Sequence, residues 1–183
     1  GRRDVRTIDL TTGRENVLYV VDEPAREYLL GEWRHIRWRS SDGVRPYGYL
    51  ILPPNFDAAL QYPMIVDIHG GGPGSYLYLA GPFSAAINPG PLEWHAWAAL
   101  GYVVFVPDYR SSGDYGPRPA AQRLARGEES SLADFVDAVT GVEHMLRQRF
   151  IDPRRVALIG HSAGGPRAYA AAIARPDLFA ALI

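Results

Sequence analysis

From about residue 34 onward the chain alternates short, densely apolar runs with longer runs whose apolar residues recur every three to four positions. The short runs have the length and β-branched content of buried strands, and the longer ones have the spacing of amphipathic helices. Strands are expected over 34–40 and 44–52, separated by a Ser41-Asp42-Gly43 turn, over 63–69 after the Pro53-Pro54-Asn55 break, over 102–107, and over 155–160. A long loop is expected from 69 through 90, then a helix over about 91–100. A second helix is expected near 130–149, with Ser130 or Ser131 as cap and Leu132, Phe135, Val136, Val139, Val142, Met145 and Leu146 at helical spacing. An alanine-rich helix follows from Ala163 to Arg175, with Pro166 tolerated in its first turn, and Pro176-Asp177-Leu178-Phe179 reads as the turn before another strand. Strands that alternate with helices imply a mostly parallel sheet. The start of the chain differs: Val5 to Leu10, a Thr11-Thr12-Gly13 turn and Asn16 to Val21 read as a hairpin.

The strand at 155–160 runs directly into Gly160-His161-Ser162-Ala163-Gly164-Gly165. A buried strand that turns sharply through Gly-x-Ser-x-Gly into a helix lifts the serine hydroxyl above the sheet, and the small neighbours avoid collision. Ser162 is therefore the candidate nucleophile. Upstream, Met64-Ile65-Val66-Asp67-Ile68 leads into His69-Gly70-Gly71-Gly72-Pro73. Acyl transfer passes through a tetrahedral oxyanion that needs two backbone N–H donors, one after the nucleophile and one in the loop after an earlier strand. Ala163 is expected to supply the first and Gly71 or Gly72 the second, while His69 reads as a hydrogen-bonded structural residue.

These segments, together with Val106-Pro107-Asp108-Tyr109-Arg110-Ser111-Ser112-Gly113-Asp114-Tyr115-Gly116, resemble the catalytic domain of the prolyl oligopeptidase family of serine peptidases (family S9). Trp38-Arg39-Ser40-Ser41-Asp42-Gly43 and Gly48-Tyr49-Leu50-Ile51-Leu52-Pro53-Pro54 resemble the opening of that domain, so the likeness covers about residues 33–183. Within the family, Pro91-Leu92-Glu93-Trp94-His95-Ala96-Trp97 is similar to bacterial lasso peptide isopeptidases, which open the macrolactam of threaded peptides. The resemblance implies an incomplete α/β-hydrolase fold, with residues 33–183 as the N-terminal part of the catalytic domain and 1–32 as a separate β hairpin segment. Ile8-Asp9-Leu10-Thr11-Thr12-Gly13 resembles a strand and turn of a β-propeller blade; the other reading is an edge hairpin of the catalytic domain. Two departures stand out. The loop has three glycines where the family commonly has two, which blurs which N–H is the donor, and Pro166 replaces the aromatic residue often found after the double glycine. The implied activity is cleavage of a peptide or isopeptide bond through a Ser162 acyl-enzyme. A carboxylesterase is the alternative chemistry, and a hydrolase-like interaction protein without catalysis is the alternative class.

In this fold the chain order is nucleophile, acid, histidine. After Ser162 the sequence holds one carboxylate, Asp177, and no histidine. The catalytic acid and base are therefore expected outside this sequence, in a later segment of the same protein. His161 adjoins the nucleophile and is not expected to be the base; His35, His95 and His144 read as solvated or satisfied. Asp134 and Asp137, three apart on one helix, read as exposed helix charge, and Arg110 as a structural ion-pair partner. Tyr76, Tyr78, Phe83, Trp94 and Trp97 either line a cleft or pack in the core. With 183 residues, 47% hydrophobic content, formal net charge -1 and no cysteine, the chain suits one globular core without disulfides or thiolate metal sites, and it has no basic face for nucleic acid. No apolar run reaches the roughly 20 residues that span a bilayer. No cofactor or metal is expected, a peptide substrate is the expected partner, and composition fixes no compartment.

Overall fold

The computed structural model describes residues 4–20, 28–70, 91–112 and 130–183. The first strands, β1 (Asp4–Ile8) and β2 (Glu15–Val20), pair antiparallel as a two-stranded sheet of their own. Their connection is an Asx-type turn: the Asp9 carboxylate accepts the N–H groups of Thr11 at 2.8 Å and Thr12 at 3.0 Å, and Gly13 takes φ +70°. Val5, Ile8, Val17, Leu18 and Tyr19 are exposed on it.

The main sheet has six strands: β3 (Glu32–Arg37), β4 (Tyr47–Leu52), β5 (Tyr62–Ile68), β6 (Val103–Asp108), β7 (Ile151–Gly160) and β8 (Ala181–Leu182). Their spatial order is β3-β4-β6-β5-β7-β8. The pairs from β6 through β8 are parallel, while β4 runs antiparallel to both neighbours. Helix α1 (Pro91–Ala99) connects β5 to β6, α2 (Ser130–Leu146) precedes β7, and α3 (Gly164–Ala174) follows it. A 3-10 turn at Pro176–Leu178 leads into β8, as the proline-led turn in the sequence predicts.

The alternation of strand side chains explains why the runs look uniformly apolar. Leu50, Leu52, Val103 and Phe105 join Met64, Val66, Ile68, Val156 and Leu158 in a core with Ala138, Val142 and Met145 of α2 and Ala168 and Ala171 of α3. The intervening Tyr49, Ile51, Val104 and Val106 pack on the other face against Trp94 and Ala98 of α1. With both faces covered, neither set of positions is free to be polar. The prolines fall where the ladder allows them. Pairing of β5 with β7 shifts register between Tyr62 and Met64, around Pro63, and pairing of β5 with β6 ends at Val66 and Phe105, before Pro107.

Several boundaries differ from expectation. β4 starts at Tyr47 because Pro46 has no N–H, although Ser40 and Val44 still close the hairpin around Gly43 at φ +88°. α2 ends at Leu146, three residues early, and β7 begins at Ile151, four residues early. The long loop through 90 and the polar loop before α2 lie outside the described residues, as do the candidate cap side chains of α2.

The connection from β5 passes through α1 to β6 on one side of it, and the chain then returns across α2 to β7 on the other side. The helices thus change faces at the carboxyl ends of β5 and β7, the position where open α/β sheets form their ligand crevice.

Candidate active site

At that point β7 ends in Gly160, paired in register with Ile68 of β5. Ser162 has φ +53° and is the one non-glycine residue with positive φ among those described. A side chain held in the left-handed region costs roughly 1–3 kcal/mol and persists only where its surroundings fix it. The surroundings are glycine. A Cβ on Gly164 would lie 1.9 Å from the Ile68 carbonyl oxygen, and one on Gly160 would lie 2.6 Å from the Ala168 Cβ. Helix α3 therefore starts in backbone contact with the end of β5, which leaves Ser162 to make the reversal, with its side chain exposed.

Ala163 opens α3 with φ -61° and ψ -18°, and its N–H has no acceptor among the described residues. That donor adjoins an exposed serine in left-handed backbone. The second expected donor, Gly71 or Gly72, lies outside the described residues. Gly70 comes first, and it touches the elbow: a Cβ there would sit 2.6 Å from the His161 carbonyl oxygen and 3.0 Å from the Ser162 Cβ. The chain leaving β5 is thus brought directly against His161 and Ser162.

His69 is buried and fully engaged. Its Nδ1 lies 3.0 Å from the Gly70 carbonyl, and its Nε2 lies 3.0 Å from the Ser112 hydroxyl and 3.5 Å from Asp108 Oδ1. Its ring stacks on Tyr109 at 4.3 Å, and the Tyr109 hydroxyl donates to the His69 carbonyl at 2.8 Å. This is the structural histidine expected from the sequence. His95 is also buried, with the Trp33 indole N–H 2.8 Å from Nε2 and the Gly31 N–H 3.1 Å from Nδ1, of which a neutral ring accepts one, and burial lowers its pKa. His35 is exposed on β3 and His144 is half-buried on α2.

The reading of Asp134 and Asp137 as exposed helix charge is wrong: both are 0% exposed. Asp137 takes the backbone N–H of Arg110 at 3.0 Å and its Nε at 2.7 Å, and Arg110 also reaches Asp42 and Ser40. Asp134 takes Nε of Arg167 at 3.0 Å and the Ser111 hydroxyl. Two arginines arriving from elsewhere in the fold neutralise the pair, which is why helix spacing alone points outward. Arg110 is the structural ion-pair partner expected. Of the aromatic group, Trp94 is a core residue and Trp97 packs beside it, whereas Tyr76, Tyr78 and Phe83 lie outside the described residues.

Asp67 and Arg167 were not singled out from sequence. Asp67 is 1% exposed, and its Oδ2 accepts the Trp94 indole N–H at 2.6 Å. Burial pushes its pKa up to about 6, against smaller lowering effects of the Trp94 bond and His69, and Glu93 adds a small further rise. A lone acid inside the run Met64-Ile65-Val66-Asp67-Ile68 was the available signal. Among the described residues no three histidines or acids gather as metal ligands, and no helix is long and apolar enough to cross a membrane.

The profile of the prolyl oligopeptidase family matches residues 91–183, just over half of the chain and inclusive of the elbow. This chain belongs to the prolyl oligopeptidase family. It is 29% identical over 145 residues to the uncharacterized peptidase YuxL of Bacillus subtilis, covering 79% of this chain and 20% of that protein. The acylaminoacyl peptidase of Pyrococcus horikoshii superposes with a TM-score of 0.73 at 28% identity, over 98% of this chain and 27% of that one. The described sheet is accordingly part of an α/β-hydrolase fold. The AtxE2 isopeptidase, solved with Astexin3-dC4 bound, shares that fold at a TM-score of 0.65 and 21% identity, over 97% of this chain and 26% of that one. The chain spans about a fifth of the length of the curated relatives it matches.

Proposed function

We propose that this chain carries the nucleophile and part of the oxyanion hole of a serine peptidase, and that Ser162 attacks a peptide or isopeptide carbonyl. One observation carries the reading: an exposed serine forced into left-handed backbone at the carboxyl ends of β5 and β7, followed by an N–H that has no acceptor among the described residues. In the step this supports, Ser162 Oγ bonds to the carbonyl carbon while its proton passes to a histidine. The oxyanion so formed accepts from the Ala163 N–H and from Gly71 or Gly72. Collapse expels the amine, which takes that proton, and water then releases the acyl group. Family membership supports peptide over ester substrates.

The histidine and its carboxylate partner come, in this proposal, from outside these 183 residues. His69 and His95 are buried with both ring nitrogens engaged, His35 and His144 are on β3 and α2, and His161 directly precedes the nucleophile on the elbow. The hairpin of β1 and β2 is proposed to belong to a neighbouring β domain of propeller type, consistent with its pairing, among the described strands, only with itself.

The test uses the whole protein that contains this chain. A fluorophosphonate should label Ser162, and Ser162→Ala should abolish both labelling and peptide turnover without unfolding the protein. Labelling that survives the substitution would remove the assignment. Turnover of esters with none of linear or lactam-closed peptides would move the reading to carboxylesterase, and an unlabelled, inactive whole protein would leave a hydrolase-like scaffold.

A further inference from the structure

Arg167 lies at the start of α3, and its side chain folds back toward the helix N-terminus, as long helical side chains do. Only 12% of that side chain is exposed. One guanidinium nitrogen donates to the Ala163 carbonyl. The other two face Asp134 Oδ2, Nε at 3.0 Å and Nη2 at 2.9 Å. The guanidinium carbon also sits 4.8 Å from the centroid of the Tyr109 ring. From there the contacts lead back to the nucleophile. Tyr109 stacks on His69 and holds its carbonyl, His69 holds the Gly70 carbonyl, and Gly70 lies against His161 and Ser162. The circuit runs from Ala163 through Arg167, Tyr109, His69 and Gly70 to the elbow again, and it closes.

We propose that Arg167 is a positioning residue for the oxyanion hole: a single guanidinium, anchored by Asp134, ties the elbow donor Ala163 to the end of β5 from which the second donor must come. The proposal rests on the serine hydrolase reading above. An arginine suits this task where a lysine does not, because its planar fork fills two partners in fixed directions while its face packs on an aromatic ring. The neighbouring Arg110–Asp137 pair supplies an internal contrast. It also joins a buried aspartate of α2 to an arginine, but its other contacts are Asp42 and Ser40 in the β3–β4 hairpin, away from Ala163.

The experiment compares Arg167→Lys, Arg167→Met and Arg110→Lys in the whole protein, with active serines counted by fluorophosphonate labelling taken to completion. Loss of one oxyanion donor lowers turnover by about 10²–10³, and a 1 Å misplacement by about 10². Both Arg167 variants should therefore lose about 10- to 100-fold in kcat per labelled serine, with KM within about twofold of the parent. Arg110→Lys should lose thermal stability and keep kcat per labelled serine within about twofold. A merely structural Arg167 would lower the count of labelled serines and the melting temperature but not kcat per serine, and that result overturns the proposal. Equal kcat losses in Arg110→Lys and Arg167→Lys overturn it too. If the Arg167 variants do not fold, Tyr109→Phe, which keeps the ion pair and removes the bond to the His69 carbonyl, decides: unchanged kcat refutes the circuit, and a severalfold fall at constant KM supports it. Failure of the underlying reading shows separately, as parent protein that is inactive or Ser162→Ala that is not.

Discussion

Asp67 offers a quantitative test of how the molecule handles a buried charge beside the candidate site. The carboxyl is 1% exposed, with the Trp94 indole as donor to Oδ2 and, among the described residues, no hydrogen-bond partner at Oδ1. Burial raises its pKa from 3.8 to about 6, so the folded state binds this proton more tightly than the unfolded state does. The sign follows: stability from this group is greatest when it is protonated and is lost as pH rises through the window between 3.8 and about 6. At 1.36 kcal/mol per pH unit the cost of ionised Asp67 is about 1 kcal/mol at pH 4.5 and about 3 kcal/mol at pH 7.5. Asp67→Asn keeps an acceptor for Trp94 and cannot ionise. Whatever fixed offset the new amide introduces, the stability of the variant relative to the parent should improve by about 2 kcal/mol between those pH values. Urea unfolding of both proteins across that range gives the difference directly, since equal slopes cancel in the comparison. A difference that stays flat with pH would mean that Asp67 is solvated or paired in solution, and the burial argument would fail.

Two further substitutions probe the site and its scaffold. Gly70→Ala places a methyl group 2.6 Å from the His161 carbonyl oxygen; kcat per labelled serine should fall by about 10² with the fold retained, because displacement of a donor or nucleophile by about 1 Å has that effect. Parent-like kcat would show that the end of β5 does not press on the elbow. Asp137→Ala strips a fully buried carboxylate from Arg110 and should cost about 3–5 kcal/mol in denaturant unfolding, as removal of one partner of a buried pair does. A loss below about 1 kcal/mol would class the pair with exposed ion pairs, where Asp42 alone suffices for Arg110.

The features legible in the sequence are those whose cause is local. A strand buried on both faces is apolar at nearly every position, so β4, β5, β6 and the second half of β7 announce themselves despite Asp67 and Asp108. The elbow does so too, because the backbone contacts at Gly160 and Gly164 exclude any side chain there. The ends of elements are less visible: β7 starts early, at Ile151, and that strand's first turns are mostly polar. Charges are read least well. Asp134 and Asp137 look solvent-facing because their partners lie 33 and 27 residues away, in segments brought together only by the completed sheet. Their spacing was compatible with either environment, and the arginines decided it.

The same separation explains why the site consists of distant contributions gathered on one strained residue. A left-handed serine relaxes unless its neighbours leave no alternative. Here the restraint comes from opposite directions. The Gly164 backbone meets the Ile68 and His69 carbonyls, which sets how closely α3 approaches β5, and Gly70 closes over His161 from above. The Arg167–Asp134 pair joins α3 to α2 beside these contacts. Buried ion pairs add little net stability against an apolar pair of the same volume, but they fix geometry, since a shifted guanidinium leaves a charge unmatched in low dielectric. In the proposed mechanism a misplacement of about 1 Å between the attacking serine and the N–H donors costs about 10² in rate, so fixed geometry is the property that matters most.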